Sequence, residues 1–395
     1  MNPWNGLRGL PARAWIVCSS TLVNRMGTMA RPFLVLYLVE RRGFSESQAG
    51  LALSFYGGAA LIAAPLAGRA CDRFGALRIM RWSLLLSGLL LTMFPLVTTP
   101  GAILAFIFAW ASVGEAYRPA NLAMLTGLAP PGRIRAVLAL NRVAINLGMS
   151  VGPAVGGLLA AWSYAAVFIV DGVMSVISSA VLWLAVKSTT ETRPVSRSTS
   201  AGALRDHRLL YVLAALLPVM MVFFQLAATL PLFLVRNLHK APTAYGFLMV
   251  VNTVLIILFE VPLNLRMERW PHRLALTLGA LFIAAGFGGY AFTGTVAAVV
   301  ATTIVWTVGE MILLPGSAAY LAEIAPEGRT GEYMGLYSMT FNIAFAIGPW
   351  LGAEVLERQG ARPLWLAALA LGLAGAALLS RLRHNDSTDA GIGAP

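Results

Sequence analysis

Charge is what this 395-residue chain has least of. Asp, Glu, Lys and Arg make up 12% of it, about half the share of an ordinary soluble domain, which is about 25%. Long polar stretches are scarce too, and the apolar excess (58% of residues) runs the whole length. A soluble protein with one hydrophobic tail is therefore excluded. Only Cys18 and Cys71 are available as cysteines, so there is no disulfide framework. The four histidines, His207, His239, His272 and His384, fall in loops or at helix ends. None has metal-ligand spacing, and no metal is expected. No G-x-x-x-x-G-K-[ST] loop is present, which argues against an ATP-driven pump. Neither an H-E-x-x-H helix nor a nucleophile motif with a base points to an enzyme. Residues Met1 to Pro11 lack a small-residue cleavage site after a short apolar run, so the first apolar segment is expected to be retained.

What is present is apolar sequence in lengths of about 20 residues, enough to cross a bilayer as helix. Spans are predicted at 13–39, 47–71, 77–97, 100–127, 137–162, 165–186, 208–236, 244–266, 273–292, 296–323, 331–356 and 362–381. The expected fold is an all-α integral membrane protein, with twelve transmembrane helices in two six-helix pseudo-symmetric bundles. The bundles are assigned to 1–186 and 208–383. They are joined by a polar linker at 187–207 containing Ser188-Thr189-Thr190 and Pro194, and 384–395 reads as a disordered tail. The net charge of +12 lies in short loops, so it speaks of topology rather than of nucleic acid. One set of loops holds only Arg41, Arg42, Arg236, Lys240, Arg358 and Arg362. The opposite set holds the other loop-borne Lys and Arg. The positive-inside rule then places both termini and the linker in the cytoplasm, and the chain in the inner (plasma) membrane.

An internal repeat appears at an offset of 196 residues. Pro119 to Gly156 matches Pro315 to Gly352 at 12 of 38 ungapped positions. Ala129-Pro130-x-Gly132-Arg133 recurs as Ala325-Pro326-x-Gly328-Arg329, and Asn146, Gly152, Pro153 and Gly156 recur as Asn342, Gly348, Pro349 and Gly352. Val113-Gly114-Glu115 recurs as Val308-Gly309-Glu310. Ordered matches of Pro, Gly, Arg, Asn and Glu predict two parallel structural repeats. In such proteins the substrate site lies near the bilayer midplane.

Two motifs carry a family resemblance. Between the second and third spans stands Gly68-Arg69-Ala70-Cys71-Asp72-Arg73-Phe74-Gly75. Its glycines suit a tight turn and close helix approach, and Asp72 suits a charge-assisted bond or a helix cap. Arg73 completes the basic-acidic cluster of this conformational loop. On the fifth span stands Gly148-x-x-x-Gly152-Pro153-x-x-Gly156-Gly157, whose glycines suit close helix packing and whose proline favours a kink. Together these resemble the major facilitator superfamily, in particular its twelve-helix drug:proton antiporters. The resemblance implies export driven by protons, with the fifth-span motif as the antiporter signature. The chain departs from it twice. Ala76-Leu77 replaces the basic pair after Gly75, and Trp110 stands where the family carries a basic residue on the fourth span, with Arg118 one turn beyond Gly114.

Ionisable residues within spans are functional candidates by default. Here they are Arg25, Arg31, Arg118, Arg142, Glu115, Glu260 and Glu310, with Asp171 a weaker case read as a cap or packing contact. Glu115 and Arg118, three apart, share a helix face. Arg25 and Arg31, six apart, are expected on different faces. Arg31-Pro32 marks an expected break in the first span. Glu115 and Glu310 are the candidate proton carriers, and a structural ion pair is the alternative. The arginines either neutralise these acids or bind an anionic substrate. Asn146, Gln225, Asn342, Tyr37 and Trp110 complete the candidate substrate cavity.

The expected activity is secondary-active, proton-coupled export of small amphipathic compounds by alternating access. The alternatives are a symporter or facilitator for an anionic metabolite, and a substrate-sensing receptor on a transporter scaffold. No cofactor is expected beyond a proton gradient. The expected partners are a small-molecule substrate and the lipid bilayer, with no nucleic acid and a monomeric chain.

Overall fold

The computed structural model describes residues 9–130, 133–186, 203–267, 270–326 and 329–382. Most of the predicted linker, 187–202, and the predicted disordered tail lie outside the described residues. The chain is helical almost throughout. In order, the helices are α1 (Ala12–Gly27), α2 (Ala30–Arg42), α3 (Glu46–Phe74), α4 (Ala76–Met93), α5 (Pro100–Gly114), α6 (Tyr117–Leu128), α7 (Ile134–Trp162) and α8 (Tyr164–Ala185). They continue with α9 (His207–Phe223), α10 (Thr229–Leu232), α11 (Thr243–Met267), α12 (His272–Gly289), α13 (Val296–Ile324), α14 (Thr330–Gln359) and α15 (Ala361–Leu379).

Eleven helices among the described residues are long and apolar enough to cross a bilayer, and each falls on one of the predicted spans from the second to the twelfth. One of the eleven, Pro100–Leu128, is α5 and α6 end to end, and the first predicted span is broken in the same way. It is two helices of 16 and 13 residues, each too short to cross about 30 Å of hydrocarbon alone at 1.5 Å per residue. Large apolar side chains such as Leu96, Trp162 and Leu184 point outward, as befits a surface solvated by lipid.

Three predicted spans are interrupted, and each interruption stands three or four residues before a proline. The first opens around Thr28, ahead of Pro32. The fourth opens at Glu115–Ala116, ahead of Pro119. The seventh opens at Ala228, ahead of Pro231, whose fourth preceding residue is Ala227. Proline has no N–H for the carbonyl four residues back, and its ring crowds that carbonyl. Freed backbone groups in an apolar setting need new partners; tight local bonds, such as Met29 N–H to the Gly27 carbonyl at 2.6 Å and Arg118 N–H to the Glu115 carbonyl at 3.4 Å, supply some, and side chains supply others. Asp171 accepts hydrogen bonds from the Met29 and Ala30 amides at 3.2 and 2.9 Å. The Ser83 hydroxyl donates to the Val113 carbonyl at 2.6 Å, and the Tyr245 hydroxyl to that of Leu226 at 3.0 Å. Interior prolines at 65, 153, 218, 262, 315 and 349 leave their helices continuous. Pro315 is the repeat mate of Pro119, so the same residue opens one helix and leaves the other whole.

The helices sort into two compact units. One holds the described residues of Met1–Arg197 with Phe224–Val254 and Phe345–Ala361. The other holds those of Ser198–Phe223, Leu255–Ala344 and Arg362–Pro395. The unit boundaries thus fall inside α11 and α14. In the first unit, α4 and α8 meet backbone to backbone: a Cβ on Gly88 would lie 2.6 Å from the Gly172 carbonyl oxygen, and one on Gly172 would lie 2.6 Å from that of Gly88. In the second unit, α12 and α13 lock in the same way. A Cβ on Gly279 would stand 2.9 Å from Leu313, and one on Gly309 would stand 2.6 Å from the Ile283 nitrogen. Small residues bring helices close enough for dispersion to hold them where lipid offers no hydrophobic drive.

Ahead of α9, Asp206 caps the helix. It accepts from the Arg208 amide at 2.8 Å and the Leu209 amide at 3.3 Å, and it takes a short hydrogen bond from the Tyr333 hydroxyl. Burial alone raises the Asp206 carboxyl, but these bonds together hold it below the usual carboxylate range.

Candidate functional site

The first unit encloses a polar cavity of about 550 Å³, counting its open mouth. Five of its elements supply the ionisable side chains. Arg25 comes from α1, Arg31 from α2, Tyr56 from α3 and Asp171 from α8, while Glu115 and Arg118 flank the α5–α6 break. Neutral polar groups (Asn24, Thr28, Ser87 and Ser175) share the lining with Leu84, Leu91 and Trp110. Two of the three helix interruptions therefore border this cavity.

Glu115 is its electrostatic centre. The side chain is 13% exposed, and one oxygen lies 3.8 Å from Arg31 Nη1 while the other lies 3.7 Å from Arg118 Nη1. The Tyr56 hydroxyl donates to Glu115 Oε1 at 2.8 Å. Arg31 in turn stacks over Tyr56 and Phe345, 5.4 and 5.9 Å from their ring centroids. Tyr56 packs edge-on to Trp110 at 5.0 Å. Aromatic faces and a carboxylate thus hold one guanidinium from several sides, a geometry that suits arginine.

Arg25 is held differently. Among the described residues its side chain makes no ion pair and no hydrogen bond, and its Nε is buried without a partner. The ionisable groups acting on it are Tyr117, Arg31, Arg118, Glu115 and Asp171. Its neighbour Tyr117 shares a 2.8 Å hydrogen bond with Thr21 instead. Arg25 and Arg31 line one cavity, contrary to the expectation that six residues of helix would separate them. The reason is the break at Thr28, which cancels the rotation that a continuous helix would impose.

The fifth-span glycines explain how Arg25 is placed. On α7, Gly148 lies directly against the Arg25 Cβ. A Cβ on Gly152 would stand 3.0 Å from the Thr28 carbonyl oxygen and 3.1 Å from that of Arg25. On Gly156 it would meet Met29 and Phe33 at 2.8 Å, and on Gly157 it would meet Thr243 of α11 at 3.2 Å. Pro153 leaves α7 unbroken. The motif is thus the surface on which the broken first span rests.

Other candidates lie elsewhere. Tyr37 is buried among Phe94, Tyr164 and Phe168, and its hydroxyl accepts from Arg42 Nε at 2.6 Å. Gln225 donates to the Gly348 carbonyl at 2.7 Å and accepts from Thr229 at 2.9 Å, bracing the seventh-span break. Arg142 and Asn146 are on α7 outside the cavity lining, with Arg142 exposed. Glu310 on α13 and Asn342 on α14 belong to the second unit, as does Glu260. In the loop motif, Gly75 ends α3 with φ +87°, a conformation glycine adopts without strain. A Cβ on Gly68 would meet open space, with no atom of the described residues outside its own stretch of helix within 4 Å. Arg73 is exposed and stacks on Phe74 at 5.2 Å. The Asp72 side chain lies outside the described residues.

Asn24, Thr28, Ser87 and Ser175 were not singled out from the sequence. A signal for the first two was present: Thr21, Asn24, Arg25, Thr28 and Arg31 recur at helical spacing in an otherwise apolar span. From the sequence Asp171 reads as an interfacial cap or packing contact, and its carboxylate accepts from the Met29 and Ala30 amides. It is buried, however, and caps an interior helix end rather than an interfacial one.

Comparison with known proteins gives a consistent picture. A family model described as Major Facilitator Superfamily matches residues 17–240 and 212–394. An uncharacterized MFS-type transporter of Bacillus subtilis, YqjV, is 24% identical over 94% of this chain and 93% of its own length. A protein of Planococcus maritimus named as a Na(+), Li(+), K(+)/H(+) antiporter is 22% identical over 88% of each chain. Among solved structures, a POT family transporter in complex with a thioalcohol-conjugated peptide superposes with a TM-score of 0.79 at 13% identity. That match covers 95% of this chain and 97% of that one, a likeness of fold.

Proposed function

The chain belongs to the Major Facilitator Superfamily, and on that premise we propose that this multi-pass transporter moves small amphipathic solutes by alternating access, coupled to protons at Glu115 and running as export. The observation that carries this reading is the Glu115 cluster. A carboxylate reached from a polar cavity, 3.7–3.8 Å from two arginines and bonded to Tyr56, has partners for its charged form and neighbours that must readjust when it is neutral. A proton there changes what α2, α3 and α6 hold, and alternating exposure turns that change into coupling. Leucine and aromatic walls suit an amphipathic solute. Export is supported by the fifth-span motif and by the relative named as an antiporter. The loop charges support an inner-membrane chain with both ends in the cytoplasm, and the repeat supports rocking of its two halves.

One observation favours a second reading, symport of an organic anion: Arg25 lines the same cavity with no carboxylate in ion-pair contact and with its Nε unpartnered.

Reconstituted protein under an imposed proton gradient tests the proposal, with a panel of fluorescent amphiphiles as cargo. Wild type should move a dye against its gradient, and Glu115→Gln should not while melting as wild type does. Equal transport by both would remove Glu115 from the mechanism.

A further inference from the structure

We infer that the cavity recognises an organic anion, a carboxylate or phosphate group joined to an apolar body, with Arg25 as the group that takes the charge. This rests on the second reading above, symport of an organic anion through this cavity with Glu115 as the proton carrier, and symport there takes the place of export. Three guanidinium groups, Arg25, Arg31 and Arg118, line it against two carboxylates, Glu115 and Asp171. One Asp171 oxygen is occupied by the Met29 and Ala30 amides. Glu115 is shared by Arg31 and Arg118. Tyr56 and Tyr117 complete the ionisable lining, and each is already hydrogen bonded, to Glu115 and to Thr21. With both acids ionised, the lining carries one excess positive charge, and Arg25 is the guanidinium of the three that makes no ion pair among the described residues.

The buried Arg25 Nε lacks a partner, which is costly, and Arg31 and Arg118 repel Arg25 across the cavity. An anion relieves both. Arginine offers a planar fork of donors that fits carboxylate or phosphate oxygens. Leu84, Leu91 and Trp110 on the same lining give an apolar body somewhere to lie.

The sign of proton linkage follows. Neutralising Glu115 raises the excess from one charge to two and releases Arg31 and Arg118 from their carboxylate. Proton and anion therefore strengthen one another's binding, and by linkage the effect is reciprocal. That is the sign needed for carrying both in one direction. Export by exchange requires proton and solute to exclude one another.

The test uses dansylglycine, an anion, and dansylglycinamide, its neutral isostere, binding to the purified full chain and read by energy transfer from tryptophan. One charge-assisted pairing predicts that the acid binds about 10- to 100-fold tighter than the amide. Arg25→Gln should erase that preference, and Arg25→Lys should restore part of it, with melting temperature reporting on folding. Glu115→Gln should tighten the acid and leave the amide unchanged. Equal affinity for both probes, absence of saturable acid binding to millimolar concentration, or an acid preference that survives Arg25→Gln would each overturn the inference. Failure of the underlying reading looks different: the acid is preferred through Arg25, yet Glu115→Gln transports as wild type does.

Discussion

Removing the Asp171 carboxylate should destabilise the protein through the first span. Asp171 Oδ2 accepts from two amides, Met29 at 3.2 Å and Ala30 at 2.9 Å, both on buried residues. Alanine leaves the Ala30 N–H without that acceptor, while the Met29 N–H keeps the Gly27 carbonyl at 2.6 Å. A buried unsatisfied donor costs about 1–3 kcal/mol, so Asp171→Ala should cost about 1–3 kcal/mol. Asparagine keeps an acceptor oxygen at nearly the same place but gives up the charge, which roughly halves the strength of such bonds. Asp171→Asn should therefore fall between wild type and Asp171→Ala. Equilibrium unfolding in mixed micelles, followed by tryptophan fluorescence, gives the three free energies on one scale. Solute binding should weaken in the same order, because Arg25 and Arg31 lie on either side of the opened turn. Should Asp171→Ala unfold within about 0.5 kcal/mol of wild type, a size typical of neutral surface changes, the carboxylate does not hold the break and the account of the first span is wrong.

Two further outcomes are expected. Gly148→Val should displace α7 from Arg25, costing about 1–3 kcal/mol as an overpacked contact and lowering solute affinity, whereas Gly68→Ala, which meets open space, should melt as wild type does. Asp206 is held below the usual carboxylate range by its hydrogen bonds, so its contribution is present above the unfolded value of about 3.9 and is lost as pH falls through the lower folded value; Asp206→Asn should lower the melting temperature at neutral pH, with the gap to wild type closing below about pH 4.

Much of this molecule is legible in its residue order. A bilayer demands about 20 apolar residues per crossing, so eleven crossings can be read from hydropathy with ends that agree to within a few residues, apart from the irregular end of the seventh. Glu115 and Arg118 meet as their spacing of three implies. Less legible was which polar residues converge. A span surrounded by lipid and other helices is apolar on nearly every face, so pattern alone does not say which face turns inward. Tyr37 and Gln225 looked like cavity residues for that reason, and each is engaged elsewhere.

The helix interruptions draw the line between the two levels. Residue order dictates where a helix is weak, because proline lacks an N–H and crowds the carbonyl four residues before it. It does not dictate whether the helix opens there. Pro119 and Pro315 are repeat mates, yet one lies behind an open turn and the other inside a continuous helix. Opening a helix within an apolar surrounding strands backbone donors and acceptors, and it is tolerated where another segment brings a partner: Asp171 for the amides of Met29 and Ala30, Ser83 for the Val113 carbonyl, Tyr245 for that of Leu226. Those partners come from distant positions in the chain, so only packing brings them there. The opened first span then turns Arg25 and Arg31 into one cavity, a convergence that an unbroken helix would forbid.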